Sequence, residues 1–182
     1  TIEKILLKIH NIRSLGDIQV VLVNDGSTDK TKKIIQDNPK LYDKFIDLPL
    51  NQGKGKAIIE GIKNSNKEYI FFQDADLEYS PLDLKKFIFV VEEFKADFII
   101  GSRFISENRS VLHFWHKIGN QFISFLFNIL NNTTFSDIYC CHCLFKRKNL
   151  PFEKLKIFGW GQQAEILTYL VKSSSKTFET AV

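Results

Sequence analysis

The chain has 182 residues, 44% of them apolar, and 25 Lys and Arg stand against 21 Asp and Glu for a net charge of +4. That length and apolar content suffice for one sizeable core, so a single domain over 1–182 is expected. The sequence shows neither a secretory-signal pattern nor an apolar run near the length of a bilayer span. The mild basic excess fits an anionic substrate or a membrane surface, or simply a biased composition.

Ile2, Ile5, Leu6 and Ile9 repeat at helical spacing and open the chain in an amphipathic helix. "IQVVLVND" (18–25) is a β-branched run that reads as a buried parallel strand. Ser27 or Asp29 can cap the helix that follows through Gln36. A short strand near 44–48 leads through "NQGKGKAIIEGI" into another helix, and "YIFFQ" (69–73) is the next buried strand. Pro81 suits the first turn of "PLDLKKFIFVVEEF", and "ADFIIGSR" (96–103) is a further strand. An open loop (104–111) then precedes a long aromatic helix over 112–130. A Cys-rich strand or turn (136–146), a helix near 162–173 and the strand-like "KTFETAV" complete the chain. Strands alternating with helices predict an α/β fold with a mostly parallel sheet and helices on both faces.

Cys140, Cys141 and Cys143 flank His142. An odd, crowded set does not suggest a disulfide framework, so the cytosol is the expected compartment. Structural zinc sites usually draw spaced Cys-x-x-Cys pairs from two elements, which favours small buried side chains on a strand over a metal centre.

The segment "FFQDADLEYSP" (71–81) passes from bulky apolar residues into three acids. Along an extended chain Asp74, Asp76 and Glu78 would share one side, with Ala75 and Leu77 on the other. Crowded carboxylates call for compensation, and hard oxygen ligands suit Mg²⁺ or Mn²⁺; the plainer alternative is a solvated acidic turn. Ligands of open α/β sheets bind beyond the carboxyl ends of strands, where Asp25 and the acid cluster both fall. Asp25 can accept from a nucleobase N–H, or can act as an ordinary turn cap. Gly53 and Lys54 belong to a Gly/Lys loop suited to phosphates at a helix start, although the P-loop pattern is absent. Arg103 can hold a phosphate through its two-pronged guanidinium, or pair with one of the acids. His113 and His116 read as packing residues or edge donors on the aromatic helix.

In order, "VVLVNDGSTDKT", "NQGKGKAIIEGI", "FFQDADLEYSPLDL" and "ADFIIGSRF" resemble the successive motifs of family 2 glycosyltransferases with a GT-A fold. "W-H-K-I-G-N" (115–120) and "F-S-D" (135–137) extend the resemblance, and the polyprenyl- or dolichyl-phosphate mannose and glucose synthases are the most similar branch. The resemblance implies a nucleotide-sugar site made of Val23, Asp25, Gly53, Lys54, Asp74, Ala75, Asp76 and Arg103. It also implies a D-x-D metal site at Asp76 and Glu78. The expected donor is a GDP- or UDP-hexose, the acceptor a polyprenyl phosphate, and no nucleic-acid partner is implied. The chain starts after the position of the family's first strand, and "FETAV" resembles the start of its last, so both edges of the domain are expected to be missing.

The mechanism expected from this resemblance is metal-assisted, inverting hexose transfer. A phosphate acceptor is already an anion and needs no base, and Arg103 would align it. A sugar hydroxyl, the acceptor in cell-surface polysaccharide synthesis, would need a base, for which Asp137 is the candidate. On this view Asp137→Asn is tolerated in the first case and severe in the second. Phe114, Trp115, Phe122, Phe125 and Phe127 could rest in a headgroup layer, placing the protein at the cytoplasmic face of a membrane, or could pack on the sheet. A nucleotidyltransferase and a non-catalytic nucleotide-binding module are the rival functions.

Overall fold

The computed structural model describes residues 1–105, 113–156, 159 and 161–182. Its helices are α1 (Ile2–Ile12), α2 (Thr31–Asp37), α3 (Lys54–Lys63), α4 (Leu84–Phe94), α5 (Phe114–Asn131) and α6 (Gln162–Ser173). Its strands are β1 (Val21–Asp25), β2 (Lys44–Leu48), β3 (Tyr69–Phe71), β4 (Phe98–Ser102), β5 (Cys143–Lys146) and β6 (Thr177–Ala181). Residues 106–111 of the predicted loop and residue 112 of the predicted aromatic helix lie outside the described residues.

Local chemistry explains the helix ends. Asp29, rather than Ser27, supplies a cap-like bond, its Oδ1 accepting from the Thr31 N–H at 2.9 Å. Ser80 Oγ accepts from the Leu82 N–H at 3.3 Å and Pro81 opens a single 3-10 turn before α4. Lys95 ends α4 in the left-handed region, at φ 54°.

The sheet carries helices on both faces because its strands alternate. Phe98 and Ile100 of β4, with Cys143 and Phe145 of β5, turn to a core completed by α3, α5 and α6. Ile99 and Leu144 turn the other way, to Phe87 and Leu84 of α4 and Ile12 of α1. A third cluster joins Ile2 and Leu6 of α1 to Ile35 of α2.

Hydrogen bonding divides the strands into two ladders: β1 with β2, and β3-β5-β4-β6 in that order. β1–β2 and β4–β6 are parallel, but β5 runs antiparallel to both β3 and β4, a departure from a uniformly parallel sheet. Between β1 and β3 lies a cleft of about 840 Å³, walled by residues 21–23, 69–72 and the apolar face of α1. The cleft explains why the 18–25 run is not the buried strand predicted. Pairing starts only at Val21, and within β1 only Asn24 is buried. β3 likewise stops at Phe71 rather than Gln73, whose side chain instead bonds the loop beyond.

α5 departs most from a packed helix. Ser124 and Phe127 are its buried residues, while Phe114, Trp115, Phe122, Phe125, Ile129 and Leu130 are all more than half exposed. No helix among the described residues is long and apolar enough to cross a membrane.

Candidate active site

β1 ends at Asp25, whose carboxylate reaches across to the Gly/Lys loop. Oδ1 accepts from the Gln52 N–H at 2.8 Å and Oδ2 from the Gly53 N–H at 2.9 Å. The two donors belong to the entry of α3, so the carboxylate ties the end of one strand to the start of a helix. Gly26 permits this closeness: it has φ +66°, and a Cβ there would stand 2.4 Å from the Asn51 nitrogen. Asp25 thus performs a structural task of the turn-cap kind, with both oxygens on backbone N–H groups of the facing loop.

Lys54, the first residue of α3, donates from Nζ to Asp74 Oδ2 at 2.6 Å and to Cys141 Sγ at 3.2 Å. Burial, followed by the Asp74 charge, pushes the Cys141 thiol up to about 11, so it is a neutral acceptor at pH 7. Val23, Asp25, Lys54, Asp74 and Ala75 all line the cleft between β1 and β3. They gather where the strands end, which is where open α/β sheets bind ligands.

The three acids do not share one side, as an extended chain would require. Leu77 lies at φ 71°, an uncommon conformation for a bulky residue, and it turns the segment back. Each carboxylate therefore finds a different partner. Asp74 pairs with Lys54, and Asp76 Oδ1 accepts from the Glu78 N–H at 2.9 Å. Glu78 Oε1 lies 3.4 Å from Arg103 Nη1. Mutual repulsion is relieved by the turn itself, before any cation is considered.

Asp76 and Glu78 are exposed hard-oxygen donors on this turn. Among the described residues no group of three acids, histidines or cysteines forms a ready metal cage. Mg²⁺ is commonly held by one or two carboxylates together with substrate phosphates and water, so this donor set fits such an ion.

Arg103 follows β4. Its Nε donates to Asp137 Oδ2 at 2.7 Å and its Nη2 to Asp137 Oδ1 at 3.0 Å. Asp137 is fully buried and also accepts weakly, at 3.3 Å, from the backbone of Arg103 and Tyr139. Both of its oxygens therefore accept hydrogen bonds, each taking one from the Arg103 guanidinium. Glu179 Oε1 fixes the same turn through Ser136 N and Oγ at 2.9 Å, and burial raises the pKa of that carboxyl.

Cys140 and Cys143 are buried in the main core. His142 is also buried, its ring against Phe71 and Tyr79 at 4.8 and 4.7 Å, and its Nε2 is 3.1 Å from Gln73 Oε1. Burial lowers its pKa to about 4, leaving it neutral at pH 7. Gln73, Cys141, Glu179 and His142 were not assigned site roles from the sequence. Only Gln73 had a local signal, a polar residue between an apolar strand and the acids; the others meet the site through contacts distant in sequence. His113, just before α5, and His116 in its first turn face each other, with ring centroids 5.6 Å apart.

Residues 1–151 match the model for glycosyl transferase family 2. An uncharacterized protein of Methanocaldococcus jannaschii, MJ0544, is 31% identical over 192 aligned positions, covering 99% of this chain and 82% of its own. Poly-β-1,6-N-acetyl-D-glucosamine synthase of Staphylococcus epidermidis is 39% identical over 85 residues, 46% of this chain and 20% of the synthase. Among solved structures, glucosyl-3-phosphoglycerate synthase of Mycobacterium tuberculosis, in complex with Mn²⁺, uridine diphosphate and phosphoglyceric acid, superposes with a TM-score of 0.73 at 15% identity. That superposition covers all of this chain and 63% of the synthase, so the likeness is one of fold. The chain thus spans a fifth of the staphylococcal synthase, under two thirds of the mycobacterial one and about four fifths of MJ0544.

Proposed function

Because this chain belongs to glycosyl transferase family 2, we propose that it is the catalytic part of an inverting hexosyltransferase that uses a nucleotide diphosphate sugar. The observation that carries this reading is the convergence of Asp25, Lys54 and Asp74 on one cleft at the carboxyl ends of β1 and β3. Glu78, on the same turn as Asp74, reaches toward Arg103. Lys54 offers the donor diphosphate a cation, and Val23 with the Asp25–Gly53 closure offers the nucleoside a backbone wall. A divalent cation such as Mg²⁺ or Mn²⁺ at Asp76 and Glu78 would offset the charge that gathers on the departing diphosphate. Arg103, its direction set by Asp137, holds the acceptor anion in line with the anomeric carbon.

In the step itself an acceptor oxygen forms a bond to the anomeric carbon. The bond from that carbon to the diphosphate oxygen breaks, and its electron pair leaves with the nucleoside diphosphate. A phosphate acceptor has no proton to lose, which suits a site whose Asp137 is occupied by Arg103. The polyprenyl phosphate reading is therefore preferred, and the exposed apolar face of α5 suits a lipid-borne acceptor at the cytoplasmic face of a membrane. Transfer to a sugar hydroxyl, the reading favoured by similarity to the poly-N-acetylglucosamine synthase, requires a base other than Asp137.

The cleft is also read as the seat of one further extended strand, which would pair with the free edges of β1 and β3 and join the two ladders. The deciding experiment incubates the full chain with Mn²⁺, UDP- or GDP-hexose, and either dolichyl phosphate or a free oligosaccharide. Release of nucleoside diphosphate with the lipid phosphate alone is expected. Formation of nucleotide sugar from a nucleoside triphosphate, with pyrophosphate released, would indicate a nucleotidyltransferase. Nucleotide binding without turnover on any acceptor would leave a binding module.

A further inference from the structure

Gln73 and His142 belong to no step of the proposed reaction, yet they hold the acid-bearing turn closed. Gln73 Nε2 donates to the Asp74 carbonyl at 3.0 Å and to the Tyr79 carbonyl at 3.3 Å, the two ends of the turn. Turned over, the amide would present its oxygen to two carbonyl oxygens, so the observed orientation is the one that bonds. That choice leaves Oε1 facing His142 Nε2 at 3.1 Å, which must then carry the imidazole proton. His142 is fully buried, and its Nδ1 has no partner among the described residues. A buried nitrogen left without a bond is unfavourable, and a phenyl ring would fill the same aromatic pocket without it. The imidazole is set apart from a phenyl ring by the one donor it supplies.

We propose that His142 is a positioning residue: its Nε2–H fixes the Gln73 amide, and that amide closes residues 74–79 into the turn that aims Asp76 and Glu78. The consequence for metal and donor rests on the proposed function, whereas the closing of the turn does not. His142→Phe removes the unpaired Nδ1 but also leaves Gln73 Oε1 without its donor, so the two effects offset and the melting temperature should move little. The turn should nevertheless loosen.

The test compares the full chain with His142→Phe, Gln73→Met and the double variant. Amide hydrogen exchange over 74–79 needs no ligand and should quicken at least about tenfold in each single variant, while β4 keeps its protection. Calorimetric affinity for UDP or GDP with Mn²⁺ should fall about tenfold or more, the usual effect of removing a partner that orients a metal ligand. The double variant should be no worse than either single one, since both break one chain of bonds. Unchanged exchange over 74–79 in His142→Phe would overturn the inference, as would additive losses in the double variant. If His142→Phe does not fold, Gln73→Met alone decides by the same exchange readout. If the parent chain binds no nucleotide yet its exchange responds as stated, the positioning role stands and the transferase reading falls.

Discussion

Asp137→Asn tests whether this carboxylate serves chemistry or geometry. The substitution keeps the shape of the side chain and removes its charge, leaving Arg103 with an amide where two carboxylate oxygens had accepted at 2.7 and 3.0 Å. Asp137 is fully buried and the Arg103 side chain is 19% exposed, so little solvent is available to take over. Removing one member of a buried ion pair generally costs about 3–5 kcal/mol. Glu78 stands near enough, at 3.4 Å, to absorb part of this, so a loss of about 3 kcal/mol is expected. In a chain of this size that corresponds to a fall of roughly 6–12 °C in melting temperature. Transfer should fall with it for either acceptor class, unlike the tolerance that the sequence alone suggests for a phosphate acceptor. The paired change Arg103→Met with Asp137→Leu should recover most of the stability and none of the transfer, because no charge is then stranded. Thermal unfolding by circular dichroism and release of nucleoside diphosphate are the two readouts. If Asp137→Asn melts with the parent and loses only transfer, together with the acidic limb of its pH profile, Asp137 is a base and the positioning argument is wrong.

Gly26→Ala should disrupt the proposed nucleotide wall, since its Cβ would lie 2.4 Å from the Asn51 nitrogen and 2.6 Å from the Leu50 carbonyl carbon. The left-handed conformation adds about 1–2 kcal/mol, and displacing residues 50–53 removes the donors of Asp25; calorimetry should show nucleotide affinity reduced by a factor on the order of 100. Asp97 accepts from Lys146 Nζ and Ser175 Oγ, both at 2.8 Å, and these partners, Lys146 first, hold its pKa below the usual carboxylate range. Its stabilisation is therefore full above the unfolded value of about 3.9 and is lost as pH falls below it. Melting curves of Asp97→Asn should lie several degrees under the parent at pH 7 and converge with it in acid. Replacing Phe114, Trp115, Phe122 and Phe125 by Gln should abolish flotation with anionic vesicles while leaving the melting temperature within about 2 °C, since all four are more than half exposed; unchanged flotation would remove the membrane role.

Much of the fold was legible because its signals are local. The apolar run Phe98–Ile100 opens the wholly buried β4, while the periodic segments at 2–12 and 162–173 form α1 and α6. What stayed hidden depends on partners far along the chain. Nothing in "IQVVLVND" says that the strand would face an open cleft, because pairing is decided by residues some fifty positions away. The acid cluster is plain in the sequence but its geometry is not: period-two alternation assumes an extended backbone, and Leu77 breaks it with a positive φ that leucine does not advertise. Lys54 and Cys141 meet across 87 residues, and Asp137 reaches Arg103 across 34. The sequence names the residues of such a site more readily than it assigns their partners.

The division of the strands into two ladders bears on how the molecule comes apart. With no inter-strand bonds between β1 and β3, the β1–β2 pair with α1 and α2 relies on side-chain packing and on α3 for its attachment to the remainder. Without a further strand seated in the cleft, cooperativity across that seam is weaker than across a continuous ladder, and denaturant should then release the smaller lobe first. Asp25 sits on the lobe that would yield first and Arg103 on the one that would persist, so partial unfolding would separate the proposed nucleotide wall from the guanidinium while most of the helical signal survives.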